Sequence, residues 1–357
     1  FPLMYEAVRN GDSDGLRSLI DKTAAFQRER GAAGFLPEGR LKAELLYNRF
    51  DAVPWLYRID LCCGLLAFAY FVWSLASGRR SRRIERLSLV PLAGTAALLT
   101  ASMALRGYAA GHLPLGNGYE TMIFVAWCLS LLALGIGRRF PIAAASGLLM
   151  SGFALLVASL GMANPQITPL VPVLRSPWLS LHVSLIMVSY ALLGLLMLNG
   201  TAALALAAAA RAGTAERTSR TLARLRLFGR LLLYPAVFLL TAGIFTGAVW
   251  ANASWGRYWG WDPKEVWALI TLIVYALPLH EQSLARFRRP FFFHAYTLWA
   301  FAAVLMTYFG VNYFLGGMHS YGGGFRPGYA AATVFAAVTA FALLTVAALI
   351  RQRRMDT

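Results

Sequence analysis

Residues Trp250–Trp267 read WANASWGRYWGWDPKEVW and hold five of the ten tryptophans in the 357-residue chain. An apolar run precedes the stretch and another follows it. It is read as a polar-aromatic loop, 250–264, between two membrane helices. Each indole offers a flat apolar face and one N–H donor, so several in one loop can make a shelf for a large planar ligand. Gly256 and Gly260 let the backbone approach such a ligand. Asp262 suits the N-cap of the following helix and Pro263 its first turn. Trp and Tyr also gather at membrane interfaces whatever a protein does, but an interfacial belt does not need this density in one loop.

The chain around the loop is 58% hydrophobic and only 14% charged, which marks a polytopic membrane protein rather than a soluble globule. Apolar runs near the roughly 20 residues of a membrane helix cover 54–76, 87–106, 120–137, 140–161, 181–209, 231–250, 263–280, 291–315 and 329–350. The predicted fold is all-α, a membrane helix bundle with about nine transmembrane helices over 54–350. Residues 1–53 form a polar lead-in. Leu3, Met4, Ala7 and Val8, then Leu16, Leu19 and Ile20, predict short amphipathic helices there.

A net charge of +17 raises the question of nucleic acid. The arginines answer it by falling in short clusters between apolar runs, at 79–86, 138–139, 211–230, 286–289 and 351–354. Basic loops stay cytoplasmic. The opposite set, beyond the lead-in, has only Arg106, Arg175, Arg257, Lys264 and Arg326. The N-terminus is therefore expected outside, the tail 351–357 in the cytoplasm and the tryptophan loop on the outer face. No nucleic-acid partner is expected. Cys62, Cys63 and Cys128 lie in apolar runs without a CxxC or CxxCH and are expected to be buried free thiols. The chain begins at Phe1 rather than Met, so a processed product or a piece of a longer polypeptide is expected.

The histidines follow from this topology. His182 begins the fifth span on the outer side, and His319 follows the eighth on the same side. Two imidazoles and an aromatic shelf can converge there, and two imidazoles on opposite faces of a flat ring are what haem iron takes. His280 ends the seventh run, 18 residues beyond Asp262 or roughly 27 Å along a helix, near the cytoplasmic side. His294 begins the next run on that side and reads as structural; His112 reads as a surface histidine. The turn Pro114-Leu115-Gly116-Asn117-Gly118-Tyr119-Glu120 places Tyr119 and Glu120 at a helix start, where they could brace the outer site.

The segment Trp255-Gly256-Arg257-Tyr258-Trp259-Gly260-Trp261-Asp262-Pro263-Lys264-Glu265 resembles the WWD signature of the haem-handling proteins of cytochrome c assembly, nearest the CcsA/ResC type. That type is the membrane half of the system II cytochrome c synthase. The resemblance covers most of 54–328. It extends to the contexts of His182 and His319, the family's external haem ligands; to that of His280, its intramembrane ligand; and to 114–120, its PLxNxYE element. The lead-in resembles the linker of fused CcsB–CcsA synthases. The resemblance implies a bacterial inner-membrane protein that exports and presents haem and, with a CcsB-like half, acts as a holocytochrome c synthase on the CxxCH of an apocytochrome c. Haem is then substrate and bound ligand, and no other metal is implied. In that reading Trp255, Trp259, Trp261 and Asp262, with Gly256, Tyr258 and Pro263, orient the ring. The remaining alternatives are presentation of haem to a chaperone, as in system I, and a non-haem transporter. Among partners, membrane lipid is expected on composition alone.

Overall fold

The computed structural model describes residues 2–30, 37–160, 165–168, 176–210, 212–315, 317 and 328–356. Every regular element among them is helical. The lead-in forms α1 (Pro2–Arg9), α2 (Ser13–Arg30) and α3 (Glu38–Phe50), as its apolar spacing predicts. There follow α4 (Val53–Ser77), the short α5 (Arg82–Leu87), α6 (Leu89–Ala110), α7 (Gly118–Gly137), α8 (Pro141–Ser159), α9 (Pro177–Ala209) and α10 (Ala215–Trp255). The last four are α11 (Pro263–Ala276), α12 (Pro290–Leu305), α13 (Val311–Phe314) and α14 (Gly328–Asp356). A π-helical turn, Met306–Gly310, joins α12 to α13.

Among the described residues, eight helices are long and apolar enough to cross a membrane, one for each predicted run except 263–280. That run is a 14-residue α-helix closed by a 3-10 turn, Leu277–His280. Pro278 supplies the physical reason, because it has no N–H to continue the ladder. The segment still connects the two ends of the bundle. Lys264 Nζ donates to Asn312 Oδ1 at 2.8 Å at one end. At the other, Glu281 pairs with Arg226 and Arg230 of α10. Fourteen α-helical residues and one 3-10 turn give about 29 Å, close to the hydrocarbon thickness of a bilayer.

Helix α10 departs from its predicted range in the other direction. Its 41 residues make a rod of about 60 Å, twice that thickness. The added N-terminal part, before the predicted run 231–250, carries Arg217, Arg220, Arg224 and Arg226. At the C-terminus, α14 runs on through the expected tail to Asp356.

Helix α9 is the axis of the bundle. It is apolar all round, as a helix enclosed by others must be, and packs against α4, α7, α8, α10, α12 and α14. Helices α4 and α8 meet through reciprocal glycines. A Cβ on Gly64 would lie 2.5 Å from the Leu149 backbone nitrogen, and one on Gly152 would lie 2.7 Å from that of Leu61. Such small-residue contacts replace hydrophobic burial as the force joining helices in lipid. Asp60, wholly buried on α4, accepts from Thr95 Oγ1 of α6 at 2.7 Å and Ser151 Oγ of α8 at 2.9 Å, tying three helices at one point.

The cysteine expectation requires correction. Only Cys128 is buried; Cys63 is half-buried and Cys62 exposed, and all three are free thiols. A lipid-facing residue and a core residue are equally apolar in sequence, so hydropathy does not separate them.

Candidate functional site

His182 lies in the second turn of α9, where that helix crosses α10. Its Nδ1 is 2.6 Å from the Gly243 carbonyl. A carbonyl only accepts, so Nδ1 carries the proton and the ring's lone pair lies on Nε2. Four residues on, Gly247 forms the floor under the ring, and a Cβ there would fall 2.6 Å from both Cε1 and Nδ1 of His182. Gly243 meets Ile186 in the same way, at 2.6 Å from Cδ1. Gly243 and Gly247 thus form a small-xxx-small face on α10 that admits His182 and Ile186, one turn apart on α9. The GxxxG spacing in Gly243-Ile244-Phe245-Thr246-Gly247 was the available signal in the sequence; its pairing with His182 needed the structure.

From Gly247, α10 continues about 12 Å to its last residue, Trp255. Buried Trp250 meets Trp255 edge to face, with ring centroids 4.8 Å apart. Gly256 closes the helix with φ +72°, its N–H bonded to Asn252 O at 2.9 Å. That left-handed conformation is what a glycine C-cap provides. Gly260 lies under the guanidinium of Arg257, with an added Cβ only 2.9 Å from Cζ, so the chain's own arginine covers its open face.

Trp261 takes φ +57°, and among the described residues no other non-glycine lies so far into the left-handed region. Such a conformation costs on the order of 1–2 kcal/mol. The clamp holding it is visible on both sides. The N–H groups of Gly260 and Asp262 both donate to Glu265 Oε2, at 2.8 and 3.2 Å. Asp262 caps α11 as predicted, its Oδ2 accepting from Lys264 N at 3.1 Å, and it forms a capping box with Glu265; Pro263 occupies the first turn. The outcome is that the Trp261 ring stands out 72% exposed beside exposed Tyr258. It is perpendicular to Trp259 (87°, centroids 5.9 Å apart). The half-buried Trp259 and the exposed Trp261 are therefore set at right angles rather than in one plane.

His319, Arg175 and Arg326 lie outside the described residues. Gly317, two positions before His319, is described. It rests on the loop, with a Cβ there 2.5 Å from Asp262 Oδ1 and 3.1 Å from Pro263 Cδ. The bond from Lys264 to Asn312 fastens the end of α13 to the same place.

The 114–120 turn is built around an ion pair. Arg106 Nε donates to Glu120 Oε1 at 2.7 Å, with the side chains only 2% and 4% exposed. Glu120 Oε2 accepts from Gly116 N at 2.7 Å, and Asn117 Oδ1 caps α7 by accepting from Glu120 N at 2.9 Å. The guanidinium lies between the rings of Tyr47 and Tyr119, 5.5 and 5.2 Å from their centroids. It also donates to the carbonyls of Pro165 (2.7 Å) and Gln166 (3.0 Å). One cation thus joins α3, α6, α7 and the segment 165–168. By sequence alone Arg106 is only a loop charge, since nothing local announces its partners.

At the arginine-rich end, the His280 side chain is exposed, on a turn fixed by the grip of Arg226 and Arg230 on Glu281. His294 is fully buried, with Nε2 3.1 Å from Leu222 O. His112 is half-buried, with Nδ1 2.9 Å from Leu113 O.

Fold and loops together define a class: a multi-pass helical membrane protein with an aromatic loop, a histidine-bearing helix crossing and a buried ionic brace. Residues 115–319 match the family described as Cytochrome C assembly protein, and the chain belongs to that family. It is 39% identical over 304 residues to Protein NrfI of Wolinella succinogenes, covering 84% of this chain and 33% of that protein. It is 36% identical over 308 residues to the cytochrome c biogenesis protein CcsA of Synechococcus sp. strain WH7803, covering 73% of this chain and 94% of that one. To CcsA of Parasynechococcus marenigrum it is 36% identical over 303 residues, covering 76% and 97%. The chain therefore spans a third of the length of NrfI and nearly all of CcsA.

Proposed function

We propose that this chain handles haem in cytochrome c maturation, holding it at the aromatic end between His182 and His319 and presenting it to the CxxCH of an apocytochrome c. The observation that carries the reading is the seating of His182. A proton fixed on Nδ1 by Gly243 O directs the Nε2 lone pair to a metal, the arrangement that orients ligating histidines generally. The contact of Gly317 with Asp262 supports convergence of the His319 segment on the tryptophan loop. The strained, projecting Trp261 supplies an apolar face for the ring edge.

Haem is the substrate here, and the chain's task is to hold and orient it while the apocytochrome supplies both nucleophiles. Each cysteine thiol adds across a vinyl group, sulfur to one carbon and hydrogen to the other, with no leaving group. The rate advantage comes from positioning and from keeping water away. The exposed His280 fits a second, intramembrane site completed by a CcsB-like half. The aromatic end faces the outside of a bacterial inner membrane, by the distribution of arginine.

The test is His182→Ala and His319→Ala, singly and together, in the chain purified with its partner half. Each variant is expected to lose the low-spin Soret band and the thioether-linked product. An unchanged spectrum and haem content in the double variant would refute the axial assignment.

A further inference from the structure

A cavity of about 600 Å³ opens at the arginine-rich end, between the last turns of α4, the first turn of α8 and the N-terminal part of α10. Its floor is apolar: Phe71, Ile142, and Phe140 stacked on Phe228 with centroids 4.6 Å apart. The two hydroxyls in the wall are already engaged. Ser74 Oγ donates to Phe71 O at 2.8 Å and Thr221 Oγ1 to Arg217 O at 2.9 Å. The depth is thus suited to hydrocarbon.

The rim is ionic and unbalanced, with four arginines against two glutamates. Glu85 is paired with Arg80 and Glu216 with Arg220. Arg217 donates through Nη2 to Leu75 O at 2.9 Å, which fixes its guanidinium at the C-terminus of α4. Among the described residues neither Arg217 nor Arg224 has a carboxylate partner. Two cations therefore overlook an apolar pocket at the level where the membrane spans end.

We propose that this cavity binds an anionic phospholipid, the phosphate between Arg217 and Arg224 and an acyl chain against Phe71, Phe140 and Phe228. Basic pockets between spans at this level are suited to such headgroups. Among the described residues, no histidine, cysteine, methionine or tyrosine lines the cavity, so they offer no ligand to a porphyrin iron. The proposal rests on the membrane reading and is independent of the haem assignment.

The probes are dioleoyl phosphatidylglycerol and dioleoyl phosphatidylcholine, added to the delipidated full chain and quantified by native mass spectrometry. The wild type is expected to retain phosphatidylglycerol selectively. Arg224→Gln is expected to weaken that retention roughly fivefold, and Arg217→Gln with Arg224→Gln about 25-fold, on the scale of one cation near an anionic surface. Arg224 is exposed, so its single variant keeps the test open should the double variant misfold. Arg82→Gln with Arg83→Gln, at the same end but outside the cavity, is expected to change nothing. Equal retention of both lipids by the wild type, an equal effect of the Arg82/Arg83 variant, or displacement of the lipid by free haem would each overturn the proposal.

Discussion

Gly247→Ala probes the seating of His182 with a single methyl group. The new Cβ would sit 2.6 Å from Cε1 and Nδ1 of the ring, where unstrained contacts lie at about 3.5–4.0 Å. Either the ring retreats by about 1 Å or the two helices part by as much. From 2.6 Å, a retreat on that scale takes the Nδ1 bond to Gly243 O past hydrogen-bonding range. Overpacking costs about 1–3 kcal/mol, while alanine in place of a helical glycine returns about 0.5–1 kcal/mol. The net cost is anywhere from zero to about 2.5 kcal/mol, so the melting temperature does not discriminate and stability is a poor readout. The spectrum is the decisive one, because loss of a supporting bond to a ligating histidine weakens metal binding about 10–100-fold. The assay is haem per protein and Soret position in the chain purified with its partner half. Gly94→Ala is the control, since a Cβ there meets nothing within 4 Å. If Gly247→Ala holds haem as well as Gly94→Ala does, with the same spectrum, the seating argument is wrong.

Three further outcomes are expected. Arg106→Met leaves Glu120 charged and buried, at a cost of about 3–5 kcal/mol; adding Glu120→Leu should restore much of the lost thermal stability, and a double variant no more stable than the single would contradict the brace. Trp261→Gly removes a left-handed strain of about 1–2 kcal/mol, so the melting temperature should rise or hold while haem loading falls; unchanged loading would remove Trp261 from the site. Glu265→Gln keeps the shape but weakens the two bonds that clamp Trp261 by roughly half, because charged acceptors bond about twice as strongly as neutral ones. Protease accessibility of the 256–262 loop should increase, and no change would show that the clamp is not what holds it.

Much of this protein was legible one residue at a time. Hydropathy located eight membrane helices because lipid demands long apolar runs with every backbone group bonded internally. The Asp262-Pro263 pair announced the start of α11, since an N-cap and its first turn are local events. Arginine clusters by themselves divide the loops into two sets. The structure decided what depends on two segments meeting. Pro278 turned the seventh run into an α-helix with a 3-10 end, and α10 continued far past its apolar part. Cys62 proved to face outward because membrane hydropathy does not distinguish lipid from core. Gly247 is a floor only because His182 arrives from another helix, and Arg106 is a brace only because Glu120, Tyr47 and the 165–166 carbonyls converge on it. Such pairings join residues from 14 to 65 positions apart, through contacts between small or polar groups to which a one-dimensional apolar pattern is blind.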